Sequence, residues 1–132
     1  MTEAVGYYIV KLDVQHAGFA GAPKLHLDLG VNATTGQVSG SAQITQALPP
    51  PYGTTIIPYV TGAILHTGFG QDTLLVHITG QYLVSFPPPA IGSYLAPFSV
   101  ALAVTKDWNG KGSFEYANHV ITDCTVKNVS KG

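Results

Sequence analysis

Apolar positions recur along this chain with a period of two rather than 3.6, the pattern of strands that bury one face. Tyr8, Val10, Leu12 and Val14 alternate with Ile9, Lys11, Asp13 and Gln15 and predict a first strand. Leu25, Leu27, Leu29 and Val31 alternate with His26, Asp28 and Gly30, the cleanest half-buried strand of the chain. Asn32 to Gly36 reads as a turn in which Gly36 is free to take positive φ. Alternation resumes at Val38, Gly40, Ala42 and Ile44. Keeping both apolar sets on one face sets Val31 opposite Val38, Leu25 opposite Ile44 and Asp28 opposite Ser41.

Pro49-Pro50-Pro51 closes that strand, because consecutive prolines donate nothing to a ladder. A fourth strand is predicted from Ile56 to His66, with Pro58 making its start an edge or a bulge. Gly68 to Asp72 reads as a hairpin loop. Leu74, Val76, Ile78, Gly80, Tyr82, Val84 and Phe86 form a long fifth strand that bends at Gly80 and stops at Pro87-Pro88-Pro89. Phe98, Val100, Leu102 and Val104 make the sixth, Asp107-Trp108-Asn109-Gly110 an Asn-Gly turn, Phe114 and Tyr116 the seventh, and Val120 to Val129 the eighth. The chain is therefore read as all-β, one antiparallel domain over residues 1–132, with about eight strands in a meander barrel or a two-sheet sandwich. Gly40, Gly62 and Gly80 each follow Ser or Thr inside a strand, which favours a strongly coiled sheet.

Charged residues are 10% of the chain, against roughly 25% in ordinary soluble domains, so the surface must be unusually neutral. Seven acidic residues face six lysines and no arginine, which argues against a nucleic-acid role. A net charge of −1 removes long-range repulsion between copies and predicts a homo-oligomer or a protein partner. Cys124 is the only cysteine, so no intrachain disulfide forms. Residues 1–14 lack a signal peptide's basic start and apolar core, and no apolar run reaches about 18 residues. These readings predict no transmembrane segment and a cytoplasmic protein, or one released without an N-terminal signal.

Gly21-Ala22-Pro23 followed by Leu25 and Leu27, then Val31-Asn32, Gly36, Val38 and Gly40, Ile44-Thr45-Gln46-Ala47, the prolines ending at Pro51, and Asp107-Trp108 form an ordered set across most of the chain. This set resembles a bacterial family catalogued as domain of unknown function 1842. The resemblance implies one compact domain and brings no activity, catalytic residue or cofactor.

Candidate chemistry is sparse. His26 and Asp28 share a face and could seed a metal site or an acid–base pair, but an alternating solvent face explains them. His66 and His77 flank one hairpin out of register, and His16 and His119 lack partners at a ligand spacing. No metal or other cofactor is expected. There is no Gly-x-Ser-x-Gly elbow, and Cys124 reads as a small buried apolar residue. Glu115 and Asp107 could be imagined as a carboxylate pair, but Asp107 belongs to a turn. The chain is expected not to be an enzyme. Pro49-Pro50-Pro51-Tyr52 fits a WW-domain ligand and equally a rigid loop. Tyr52, Tyr59, Phe69, Tyr94 and Trp108 fall in or beside predicted loops, either as a binding rim or as caps on the ends of the core. For Trp108 the Asn-Gly pair beside it supplies the turn's positive φ angles, so its indole is expected to be covered by its own domain or by a neighbour.

The function expected is a non-enzymatic binding or self-assembly module, its motive the low charge and the outward apolar residues Ile9, Ala63, Leu65, Leu75 and Leu83. One alternative is the small component of a two-protein pore-forming or insecticidal toxin, recognising a surface or membrane through a partner. Another is a small-molecule barrel with a lumen lined by Tyr8, Tyr82, Phe98 and Tyr116.

Overall fold

In a computed structural model, residues 6–18, 22–46, 53–66, 74–85, 91–117 and 119–130 are described. Among them are eight strands: β1 (Tyr7–His16), β2 (Lys24–Asn32), β3 (Gln37–Thr45), β4 (Thr54–His66), β5 (Leu74–Ser85), β6 (Ser93–Val104), β7 (Gly110–Tyr116) and β8 (His119–Asn128). Each pairs antiparallel with the next, and β8 returns to β1 to close a barrel. The seam runs through Val14 opposite Val126 and His16 opposite Cys124, and the Val129 N–H extends it to the Lys11 carbonyl at 2.8 Å. Closure leaves no pair of facing sheets, so the barrel and not the sandwich is the architecture.

The register expected for β2 and β3 is the one observed: Val31 faces Val38, Leu25 faces Ile44, and Asp28 faces Ser41. Leu25, Leu27, Leu29, Val31, Val38, Ala42 and Ile44 are all buried. They share the lumen with Val10, Leu12 and Val14 of β1 and with the inward residues of β4 to β8, among which Phe98 and Phe114 are the largest fully buried side chains. Burying these side chains is worth roughly 1.5–3 kcal/mol each, the term that holds the barrel shut.

A lumen filled this way needs walls that come close. Inward-facing Gly40, Gly62 and Gly110 provide the closest approaches, since a Cβ there would strike the carbonyl oxygens of Asp28, His77 and Ala103 respectively. Two bulges tighten the curve further. On β4, the pairing steps from Gly40–Val60 to Ala42–Ile57, so Pro58 and Tyr59 together oppose Ser41, which is where Pro58 was expected to disturb the ladder. On β8, the pairing steps from Gly112–Cys124 to Phe114–Ile121, with Asp123 at φ 54°.

Three expectations shift. β6 begins at Ser93, five residues before Phe98, and pairs with β5 as far as Ser85. The positive φ of the β6–β7 turn falls on Trp108, at 65°, and not on Asn109 or Gly110. Gly110 already lies in β7, where it is needed for the close approach to Ala103. The loop expected at Gly68 to Asp72, both triprolines and Phe86 lie outside the described residues.

Candidate binding surface

The described loop aromatics, Trp108, Tyr59 and Tyr94, differ in setting. Trp108 is buried, 3% exposed, and plugs one end of the barrel. Its indole N–H donates to the Tyr8 hydroxyl at 3.1 Å. The turn carrying it is tied to the end of β8, where Asn109 accepts from the Asn128 N–H at 2.9 Å and the Asp107 carbonyl accepts from the Asn128 side chain at 2.9 Å. Tyr59 and Tyr94 lie on strands, Tyr59 in the β4 bulge and Tyr94 second in β6, and both side chains are exposed. Tyr52 and Phe69, with the Pro49 to Tyr52 pattern, lie outside the described residues.

Charge along the chain was not part of the periodic pattern, and it identifies the surface better. Between Asp28 and Lys106 the sole formally charged residue is Asp72, so β3, β4, β5 and β6 carry none. Among the described residues the charges sit on β1, β2, β7 and β8 and at the β6–β7 turn. Half of the barrel wall is therefore uncharged. Pairing arranges its outward residues in rows across β4, β5 and β6: Leu65, Leu75, Ala103; then Ala63, His77, Ala101; then Thr61, Thr79, Ser99; and below them the pair Leu83 and Leu95. Ala63, Leu65, Leu75 and Leu83 were expected to face outward, and they do, as does Ile9.

Two hollows lie along this wall. The larger, about 810 Å³, is a trough whose lining includes the small side chains of Ala63, Ala101, Ala103 and Ser113. Leu65 and Leu75 line one side, and Lys111, Thr122 and Asp123 the other. The second, about 610 Å³, lies between Tyr59, Thr61, Thr79, Gln81, Leu95 and Pro97. Tyr94 lines a third of about 260 Å³ with Glu115 and Tyr116. The small floor of the trough leaves the sheet open to close approach, between an apolar side at Leu65 and Leu75 and a polar side at Lys111, Thr122 and Asp123.

The remaining candidates separate. His26 does not act with Asp28 but pairs across strands with Asp13, Nδ1 to Oδ1 at 2.5 Å, while the other Asp13 oxygen lies 3.5 Å from Lys24 Nζ. A period-two reading of one strand could not find Asp13; the register between β1 and β2 does. No cluster of three or more His, Cys, Asp or Glu fit to hold a metal occurs among the described residues. His66 faces Leu74 and His77 faces Ala63, out of register as expected. Glu115 pairs with Ser99 toward the end of β7 away from the Asp107 turn, so these two carboxylates are not a site. Cys124 is buried; burial first, and Asp123 second, push its thiol up to about 11.

The lumen holds side chains where a ligand was imagined. Tyr82, Phe98 and Tyr116 do face inward, but as core, with the Phe114 and Tyr116 rings stacked 6.0 Å apart. Tyr8 is instead on the outside of the plug, 40% exposed. Burial raises the pKa of both Tyr82 and Tyr116. The Tyr82 hydroxyl lies short of good hydrogen-bond geometry with the nearby Ala117 backbone. Among the described residues no helix is long and apolar enough to cross a membrane.

A family model described as Domain of unknown function (DUF1842) matches residues 5–120. No curated protein matches the chain.

Proposed function

The chain belongs to that family, and from its uncharged wall we propose that it works as a non-enzymatic binding and self-assembly module, with the outer face of β4, β5 and β6 as the contact surface. The observation that carries this reading is the segregation of charge. Leu65, Leu75, Leu83 and Leu95 stand exposed on a half-barrel that bears no Asp, Glu, Lys or Arg. Covering such a face gains roughly 25 cal/mol per Å² of apolar area and strips no ion of its water. Depletion of charge at the centre is also what sets interface cores apart from other surface. The trough of alanines lets a partner's backbone or apolar side chain approach the sheet closely. A ligand inside the lumen is the weaker alternative, because Tyr82, Phe98 and Tyr116 are spent on packing.

Light scattering across a concentration series tests the self-assembly half. The expected result is an oligomer that dissociates on dilution. A chain that stays monomeric at the highest attainable concentration overturns it.

A further inference from the structure

The β5–β6 hairpin outruns the barrel. Pairing between β4 and β5 ends at Val60 opposite Gly80, and pairing between β6 and β7 ends at Phe98 opposite Tyr116. Pairing between β5 and β6 continues to Ser85 opposite Ser93. Residues 82–85 and 93–96 therefore form a two-stranded arm with neither outer edge paired to another strand among the described residues.

The direction of the arm's backbone groups follows from one proline. Pro97 has no N–H and stands opposite Gln81, so these two cannot exchange a pair of hydrogen bonds. Hydrogen-bonded and non-hydrogen-bonded pairs alternate, so Leu83 with Leu95 and Ser85 with Ser93 are also of the non-bonded kind. Leu83 and Ser85 thus aim their N–H and C=O groups at the edge of β5 that no described strand pairs, whereas the Gln81 N–H faces the Tyr59 carbonyl at the end of β4 pairing. The free edge of β6 is blunted by Pro97 itself. Proteins protect such edges with charge, proline or bulges, and the arm's β5 edge has none of these.

We propose that two copies of this chain join edge to edge around Leu83, antiparallel about a two-fold axis that passes beside it. The proposal rests on the self-assembly reading and names where on the uncharged wall the copies meet. Two-fold pairing sets Leu83 opposite its own counterpart, so one sequence satisfies both sides. Leu83 is 65% exposed and its cross-strand neighbour Leu95 60%, on one face of the arm. Joined, they make a strip of four leucines across a four-stranded sheet, each pair within side-chain reach. No charge on the arm opposes it, and the net charge of −1 leaves little repulsion between copies.

Leu83→Cys tests the geometry, because paired positions on antiparallel strands have Cα atoms roughly 5 Å apart, within disulfide range. Mild oxidation should link Leu83→Cys into dimers while Leu75→Cys, at the trough, stays largely unlinked. Buried Cys124 should not interfere, and a Cys124→Ala background checks this. Leu83→Pro should fold, since the lost N–H points outward, and should raise the dissociation constant at least tenfold. Should it fail to fold, the cross-link decides alone. A wild-type chain that never associates overturns the self-assembly reading and the arm with it. Association that persists without a Leu83→Cys cross-link overturns the arm alone.

Discussion

Trp108 and Tyr8, a hundred residues apart in the chain, meet edge to face at one end of the barrel, with ring centres 6.5 Å apart, planes at 73° and the indole N–H on the phenol oxygen at 3.1 Å. The indole is held with its backbone at φ 65°, a conformation bulky residues rarely adopt, so the plug's burial has to offset that strain. Trp108→Ala is expected to remove about 3–5 kcal/mol of stability in urea unfolding and to leave association unchanged. Tyr8→Phe, which takes away only the acceptor, should lose about 1 kcal/mol. Wild-type emission should be that of a buried indole at every concentration; a solvated spectrum would contradict the plug.

Gly40 and Gly62 are required by the curvature of the wall and not by a turn. Alanine at either position puts a Cβ into the neighbouring strand's carbonyl, Asp28 for Gly40 and His77 for Gly62. Each substitution should cost about 3 kcal/mol or prevent folding, as overpacking against a backbone that cannot move aside does. Gly18→Ala, with room around it, should change stability little and serves as the control.

Association through an uncharged wall should respond to salt in the opposite sense from an ionic interface. Raising ionic strength shortens the Debye length and weakens exposed charge pairs, but the rows from Leu65 to Leu95 contain none. The dissociation constant read by sedimentation should stay level in sodium chloride and fall in sulfate, which strengthens apolar burial. A constant that rises steeply with salt would place the contact on β1, β2, β7 or β8 instead.

Alkaline pH should find a weakness at Cys124. Its thiol is raised from 9.0 to about 11 by burial and by Asp123, so the unfolded chain gives up this proton first. The stability from keeping it is whole below pH 9 and is lost as pH rises toward 11, a slope worth roughly 2 kcal/mol for this group. Tyr82 and Tyr116, also raised by burial, act in the same direction. Cys124→Ala should flatten that part of the profile in urea titrations from pH 8 to 11, and an unaltered slope would exclude the thiol as its source.

Period-two alternation and short turns were enough to determine the strand set, the inward face of β2 and β3 and their register. The reason is local: a slip of one residue between Leu25 and Ile44 would turn every leucine of β2 out of the core. Alternation also told which residues face outward, Leu65, Leu75 and Leu83 among them, because a pleated strand leaves no other choice. Closure was beyond it. A barrel and a sandwich share the same alternation, and the deciding pairs, Val14 with Val126 and His16 with Cys124, join segments at opposite ends of the chain.

The turn at Trp108 departs from the Asn-Gly expectation for a related reason. Asn-Gly favours positive φ in an isolated hairpin, but here Gly110 is taken up by its contact with the Ala103 backbone. The left-handed residue is instead Trp108, paid for by a plug whose partner, Tyr8, lies on the first strand. Asp13 with His26 and the free edge at Leu83 follow the same rule. Local chemistry fixes which way a side chain points, whereas what it meets depends on which distant strand lies alongside, and in a closed barrel that is decided only when the last strand finds the first.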